Sequence, residues 1–300
     1  LKKFLLFYKE NKIMSEYTKA ELEDAKKDPF ADLHIHSFYS DGTMSPEEIV
    51  KAAVESGVGT LAIADHNILD GSLLLRGLCR RNGINYIPAV EIDAVEGETD
   101  FHILAYGFDI NNVPFNEFVK HARFSLDEMS VKLVELMGFP LEDYMNYTYD
   151  RSLGGWKALH YFLEKGFTSS LKEGIKFYSE YGVTYDKAGY STIAATAYRI
   201  KTAGGYSVLA HPGELIDSSD INQFKAELRR IVSLGVDGIE CYYPSHSEAV
   251  TQACLEVCEE YDLLVTAGSD CHGIFTKTKI NEMSITMDKL KGIEKCISKE

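Results

Sequence analysis

Three features of the sequence predict an α/β fold of barrel type built from parallel strands. Short apolar runs alternate with amphipathic stretches from Ala31 onward. Residues able to bind metals recur where those apolar runs end. One long helical, tyrosine-rich stretch interrupts the alternation. The chain has 300 residues, 45% hydrophobic and 26% charged, a globular composition that argues against wholesale disorder. At that length, one α/β barrel carrying an insertion and a pair of average domains are both ordinary.

Ala31-Asp32-Leu33-His34-Ile35-His36 reads as the first strand. Ser45-Pro46-Glu47-Glu48 then opens a helix, with a serine cap, a proline at the first position and acids in the first turn. That helix stops at Gly57, and Thr60–Ala64 forms the next strand. A second helix covers Gly71 to Asn82 and is ended by Gly83. Strands follow over Ile84–Ile92 and Phe101–Tyr106. Strand, helix, strand at this rhythm predicts parallel pairing with right-handed crossovers. From Val113 to about Gly189 the pattern is helical, too long for a plain loop, and reads as an inserted subdomain. The alternation resumes with a helix at 191–203, a strand at 207–210, a helix at 221–234 and a strand at 238–241. A helix at 247–260, a strand at 263–267 and a last helix near 287–297 complete the pattern, giving seven core strands. Residues 1–28 read as a peripheral arm whose apolar start is too short for a signal peptide.

Lys plus Arg total 31 against 46 Asp plus Glu, a net charge of −15. Such a balance argues against long nucleic acid as the main partner, because binding its backbone calls for a basic stripe. A small anionic substrate stays open if bound metal ions reverse the local sign. The six cysteines form no CxxC pair and read as reduced, structural thiols of a cytoplasmic protein. With no run of eighteen apolar residues, no transmembrane helix and no membrane partner are expected.

His34 and His36 end the first strand, and Asp41 follows five residues later. Asp65-His66 ends the second strand, Glu91 the third, and His102 lies in the fourth. His211 follows the fifth, His246 lies past the sixth, and Asp270 with His272 follows the seventh. Residues two apart in a strand point to one face, so His34 and His36 can reach one metal ion, and Asp270 with His272 repeats the spacing. Taken singly, each has an ordinary structural reading; together, at one end of successive strands, they indicate a multinuclear metal site. His121 and His160 fall in the helical insertion at no ligand spacing and read as structural or exposed.

Asp32-Leu33-His34-Ile35-His36 with Ser40-Asp41-Gly42, Ala64-Asp65-His66-Asn67, Glu91, His211-Pro212 and Ser269-Asp270-Cys271-His272 resemble the ordered motifs of the PHP (polymerase and histidinol phosphatase) superfamily. The resemblance spans about 31–108 and 191–273. It implies a distorted (β/α)7 barrel over 29–110 and 190–300, with 111–189 inserted as a helical lid. The segment Gly204–Pro212 and the stretch Glu240–His246 resemble the branch of nucleoside-bisphosphate phosphatases and short-RNA 5′-exonucleases. The chain departs from that branch at Gly213-Glu214, where an arginine is usual, and at Gly154-Gly155-Trp156-Lys157.

The resemblance implies two or three divalent transition-metal ions. A first would take His34, His36, Glu91 and Asp270; a second would share Glu91 and add His102 and His211; a third would take Asp41, His66 and His272. Mixed imidazole and carboxylate donors suit Mn, Zn or Fe. Such a cluster acidifies a bridging water and neutralises a phosphoryl group, so the expected reaction is phosphate-ester hydrolysis without a Ser or Cys nucleophile. His246 is the candidate acid for the leaving group, and Asp65 the candidate that orients His66 or a metal-bound water. In the lid, Trp156 is placed to stack on a base, with Lys157 and Arg199 as candidate cations for a phosphate. The expected substrate is a nucleotide, such as a nucleoside 3′,5′-bisphosphate, or a short oligonucleotide. The alternatives are a non-nucleotide phosphomonoester, such as histidinol phosphate or a sugar phosphate, and a non-catalytic metal-binding module.

Overall fold

The computed structural model describes residues 29–298, so the expected arm at 1–28 lies outside the described residues. The chain enters β1 (Phe30–Asp32), passes through α1 (Pro46–Glu55) to β2 (Val58–Leu61), and through α2 (Asp70–Asn82) to β3 (Asn85–Tyr86). These strands form a parallel sheet in the order β1-β2-β3. Helix α1 starts where its sequence predicts. Ser45 Oγ accepts from Glu48 N at 3.2 Å while the Glu48 carboxylate accepts from Ser45 N at 2.8 Å, a reciprocal cap.

A second sheet starts with β4 (Ala89–Glu96) and β5 (Thr99–Tyr106). Six α-helices follow before the next strand, the first five being α3 (Val113–Leu136), α4 (Leu141–Asn146), α5 (Lys157–Glu164), α6 (Lys176–Glu180) and α7 (Tyr185–Ala188). Then α8 (Ile193–Thr202) leads into β6 (Tyr206–Leu209), and α9 (Pro212–Leu215) with α10 (Ile221–Val232) leads into β7 (Gly238–Tyr242). Helix α11 (Glu248–Glu260) returns to β8 (Leu264–Ala267). The sheet order is β4-β5-β6-β7-β8.

The described strands form no closed (β/α)7 barrel, and the parallel expectation fails at two pairings. Strands β4 and β5 are antiparallel, as are β5 and β6. Only Gly97 and Glu98 separate β4 from β5, far too few residues for a crossover, and Gly97 takes the positive φ of 67° that such a turn needs. The strand expected at 84–92 is divided. Pro88 has no N–H for a ladder, and β3 ends before it in one sheet while β4 begins after it in the other. Isolated parallel bridges, Ile35↔Cys271 and His66↔Glu91, connect the sheets at their two seams. The last expected helix is replaced by two short 3-10 turns, Met287–Lys289 and Ile293–Lys295.

Alternation along the strands decides what faces the interior. On β4, Val90, Ile92 and Ala94 join an apolar cluster with Phe224, Leu228, Ile231 and Val257 of α10 and α11. The opposite face carries Ala89, whose cluster draws on both sheets through Leu33, Ala62, Ala64, Leu104, Tyr106 and Val208. Tyr106 Oη donates to Leu33 O at 2.9 Å across that cluster. Glu91 and Asp93 share the face of Ala89 and are therefore buried between the sheets. The helical stretch has its own cluster, including Leu133, Tyr161 and Phe162. No helix among the described residues is long and apolar enough to cross a membrane.

Candidate metal centre

Glu91 is the hub of the centre. Its Oε1 lies 3.1 Å from His102 Nδ1 and 3.1 Å from His211 Nε2. Its Oε2 lies 3.2 Å from His34 Nε2, 3.1 Å from His36 Nε2 and 3.3 Å from His66 Nε2. Asp270 Oδ1 stands 3.1 Å from His36 Nε2, and Asp41 Oδ2 stands 3.2 Å from His272 Nε2. The structure thus brings together all nine residues expected as ligands. Donor atoms of His34, His36 and Glu91 fall within 4.8 Å of one another, as do those of His66, Glu91 and His102. A third group joins His36, Asp41, His66 and His272. His211 Nε2 lies beside the Glu91–His102 pair, 3.3 Å from His102 Nδ1, and His36 stands close to the third group as well as the first.

The seam between the sheets builds this cluster. Beyond β1 and β8 the chain continues in parallel register, with Asp270 N donating to His34 O at 2.8 Å and His36 N to Cys271 O at 3.0 Å. Gly268 permits the approach: a Cβ there would fall 2.1 Å from His34 Cβ. Asn67, His211 and Asp270 hold positive φ without being glycine, at 52°, 27° and 49°. Strained backbone of this kind persists only where surrounding contacts enforce it, and here it aims side chains into the site.

Carboxylates fix the imidazoles from behind. Glu240 Oε1 accepts from His34 Nδ1 at 3.1 Å, which turns His34 Nε2 toward Glu91. Glu240 Oε2 accepts from His211 N at 2.9 Å, holding the strained residue. Asp93 Oδ1 accepts from His66 Nδ1 at 3.1 Å. The hydrogen bonds of Asp65 run to the loop after His36 rather than to His66. The Asp65 carboxylate accepts from Ser37 N at 2.7 Å and from the Ser37 and Ser40 hydroxyls at 2.6 Å each. It therefore organises the loop that carries Asp41, while Asp93 orients His66.

The charges reinforce one another. Burial opposes ionisation of Glu91, yet the His66, His34 and His102 imidazoles outweigh it and hold the carboxyl well below its usual range. Burial likewise works against charge on His66, but Glu91 and Asp93 push its pKa up to about 9. Glu91 Oε2 is buried without a hydrogen bond, although three imidazole nitrogens surround it. Two of these, His34 Nε2 and His36 Nε2, are 3.1 Å apart. Imidazole nitrogens and an unsatisfied carboxylate oxygen converge here, and a bound cation would take the place of the ring protons, so the donor set fits divalent metal.

Other expected residues are distributed differently. His246 Nδ1 donates to Cys241 O at 3.1 Å, and its Nε2 accepts from Gly213 N at 3.0 Å. Both ring nitrogens are committed, so His246 clamps the loop after His211 and has no proton facing the centre. Trp156 lines a cavity of about 410 Å³ together with Asp41, His66 and His102. Lys157 turns away, donating to Met145 O at 3.0 Å and lying 4.8 Å over the Tyr144 ring. Arg199 is exposed on α8 and does not line the cavity. The cations on the cavity wall are Arg123 and Lys176. His121 is exposed, and His160 is buried against Gly154 O at 2.7 Å. The six cysteines are buried and free; burial pushes the Cys271 thiol up to about 11, the reverse of an activated thiolate.

A PHP domain model matches residues 32–234, more than half of the chain. The chain belongs to the PHP domain family. It is a metal-dependent phosphoesterase, and hence a hydrolase. It is 27% identical over 279 residues to phosphoribosyl 1,2-cyclic phosphate 1,2-diphosphodiesterase of Eggerthella lenta, covering 81% of this chain and 94% of that protein. It is 32% identical over 191 residues to the 5′-3′ exoribonuclease Rnm of Escherichia coli, covering 61% of this chain and 65% of that protein. It is 25% identical over 258 residues to the 3′,5′-nucleoside bisphosphate phosphatase of Chromobacterium violaceum, covering 80% and 86% respectively. A structure from Bifidobacterium adolescentis, provisionally described as a metal-dependent phosphoesterase, superposes with a TM-score of 0.69 at 24% identity, covering 86% of this chain and 92% of that one. That likeness shows a shared PHP fold.

Within this PHP site, Asp93, Glu240, Tyr243 and Arg123 escaped the sequence reading. Asp93 carried a usable signal, lying two residues beyond Glu91 on the same strand face. Arg123 depends on how α3 packs across the cavity, which no local pattern reveals.

Proposed function

We propose that this phosphoesterase acts on nucleotides, removing a phosphate from a nucleoside bisphosphate or the end of a short oligonucleotide. One observation carries this reading: a single cavity connects Asp41, His66 and His102 with an apolar wall of Leu126, Met129, Trp156 and Val183. Its volume of about 410 Å³ suits a small organic ligand. The helical stretch after β5 acts as the lid that supplies this wall.

His34, His36, Glu91, Asp270, His102, His211, Asp41, His66 and His272 would hold two or three divalent ions of the Mn, Zn or Fe type. When bound, such ions supply positive charge to the phosphoryl oxygens and make water a competent nucleophile near neutral pH. The protein's own contribution is orientation. Trp156 Nε1 donates to Tyr178 Oη at 2.7 Å, and that hydroxyl also shares a 2.7 Å bond with Ser130. The indole is thereby fixed as a flat surface for a base. Arg123 and Lys176 take a second anionic group at the wall. Packing of the lid over the mouth keeps bulk water from the reacting phosphate.

A second reading, a phosphoribosyl ester lacking a base, is favoured by the Eggerthella relative, matched over 94% of its length. Phosphate release after metal reconstitution separates the two. The substrates are nucleoside 3′,5′-bisphosphates, short oligonucleotides, phosphoribosyl cyclic phosphate, histidinol phosphate and sugar phosphates. Preference for bisphosphates or oligonucleotides is expected; preference for the base-free esters would replace the nucleotide reading.

A further inference from the structure

Strand β7 and the segment that follows it contain no member of the ligand set, yet they grip ligands from three other parts of the chain. Glu240 holds His34 Nδ1 and the backbone N–H of His211. His246 holds the N–H of Gly213, two residues past His211. Between them Tyr243 Oη donates to Asp270 Oδ2 at 2.8 Å. Its ring lies between those of His211 and His246, at centroid distances of 5.2 and 5.3 Å.

Strict strand alternation would send Glu240 and Tyr243 to opposite faces. The pairing of β7 with β8 slips here: Glu240 pairs with Thr266, whereas Tyr242 pairs with the very next residue, Ala267. Two steps on β7 against one on β8 make a bulge, and a bulge re-aims the side chains beyond it. Cys241 stays in the apolar core while Glu240 and Tyr243 both reach the centre.

Resting on the metal-centre reading, we infer that Tyr243 is a positioning residue: its phenol holds Asp270 Oδ2 so that Oδ1 alone is presented to the metal. The surrounding distances give this choice its meaning. Asp270 Oδ1 faces His36 Nε2 at 3.1 Å, His34 Nε2 at 3.5 Å and His272 Nδ1 at 3.6 Å. Asp270 also sits at positive φ, so its carboxylate depends on outside contacts for its orientation. Without the phenol the carboxylate can rotate about its terminal torsion, which is broad and roughly two-fold.

Zn(II) binding to the metal-free full-length chain, read by competition with a chromophoric chelator, tests this directly. Tyr243→Phe keeps the ring and should weaken binding roughly tenfold or more, the usual cost of losing a partner behind a metal ligand. Tyr242→Phe, on the core side of the bulge, should bind as the wild type does. In an Asp270→Asn background, Tyr243→Phe should change binding less than about twofold, because the phenol acts only through that carboxylate. The thermal transition of metal-free Tyr243→Phe should match that of the metal-free wild type. Zn(II) binding by Tyr243→Phe within about twofold of wild type would overturn the assignment, as would equal losses in both backgrounds. Wild-type protein that binds no Zn(II) or Mn(II) would instead overturn the metal-centre reading itself.

Discussion

Asp93 holds His66 by one nitrogen of its ring, Oδ1 to Nδ1 at 3.1 Å, and the other nitrogen faces Glu91 Oε2 at 3.3 Å. This pairing fixes which nitrogen carries the proton and which is offered to metal. Asp93→Asn removes the charge while keeping the shape. Turnover with saturating metal should fall about 10- to 100-fold, measured as phosphate release. Wild-type turnover in this variant would show that His66 needs no carboxylate behind it.

Trp156 separates the two substrate readings. Stacking a base on an aromatic contributes about 1–3 kcal/mol, and 1.4 kcal/mol is a factor of ten. Trp156→Ala should raise KM for a nucleoside bisphosphate by roughly tenfold and leave a small aryl phosphate nearly unchanged. Because the indole also packs on the helical cluster, the melting temperature should be recorded in parallel. Equal loss on both substrates would reduce Trp156 to a packing residue.

Arg123 lines the cavity, whereas Lys157 and Arg199 do not. Arg123→Ala should raise KM for a bisphosphate by roughly tenfold, since a hydrogen bond to a charged group contributes about 1.5–3 kcal/mol. Lys157→Ala and Arg199→Ala should stay within about twofold of wild type on the same scale. Steady-state kinetics on the three variants decides the matter, and a reversed ranking would place the second anion elsewhere.

Metal loading should be linked to protons. Glu91 and Asp93 overcome the effect of burial and raise the His66 pKa to about 9, so at pH 7.5 the metal-free ring is mostly protonated. A metal ligand must be deprotonated, so loading displaces that proton. Adding Zn(II) at pH 7.5 in weak buffer should release about one or more protons per chain, followed with an indicator dye. Binding should strengthen as pH rises toward 9 and weaken as it falls. Binding independent of pH would contradict this linkage.

The cluster was legible because its members recur in pairs just past the strand ends. His34 with His36, and Asp270 with His272, are separated by one residue, and Glu91 closes a strand-like apolar run. What failed was whatever depended on a break in regular structure. Pro88 splits one apparent strand between two sheets, and Gly97-Glu98 turns an expected crossover into a hairpin. The bulge at Cys241 hides Tyr243 from any reading by alternation. Trp156 and Lys157 are neighbours in sequence, yet only the tryptophan lines the cavity, because the lysine starts α5 and reaches back to Met145. His246 looked catalytic from its place after a strand, and only its two hydrogen bonds reveal a clamp.

Glu91 would hold more than one ion, because imidazoles surround both of its oxygens, His102 and His211 at Oε1 and His34, His36 and His66 at Oε2. Elemental analysis of reconstituted wild type and Glu91→Gln, side by side, tests it most directly. The wild type should hold two or three ions per chain, and Glu91→Gln should lose at least one, with His121→Gln as an unaffected control. Fewer than one ion in the wild type, or equal metal content in wild type and Glu91→Gln, would contradict the account.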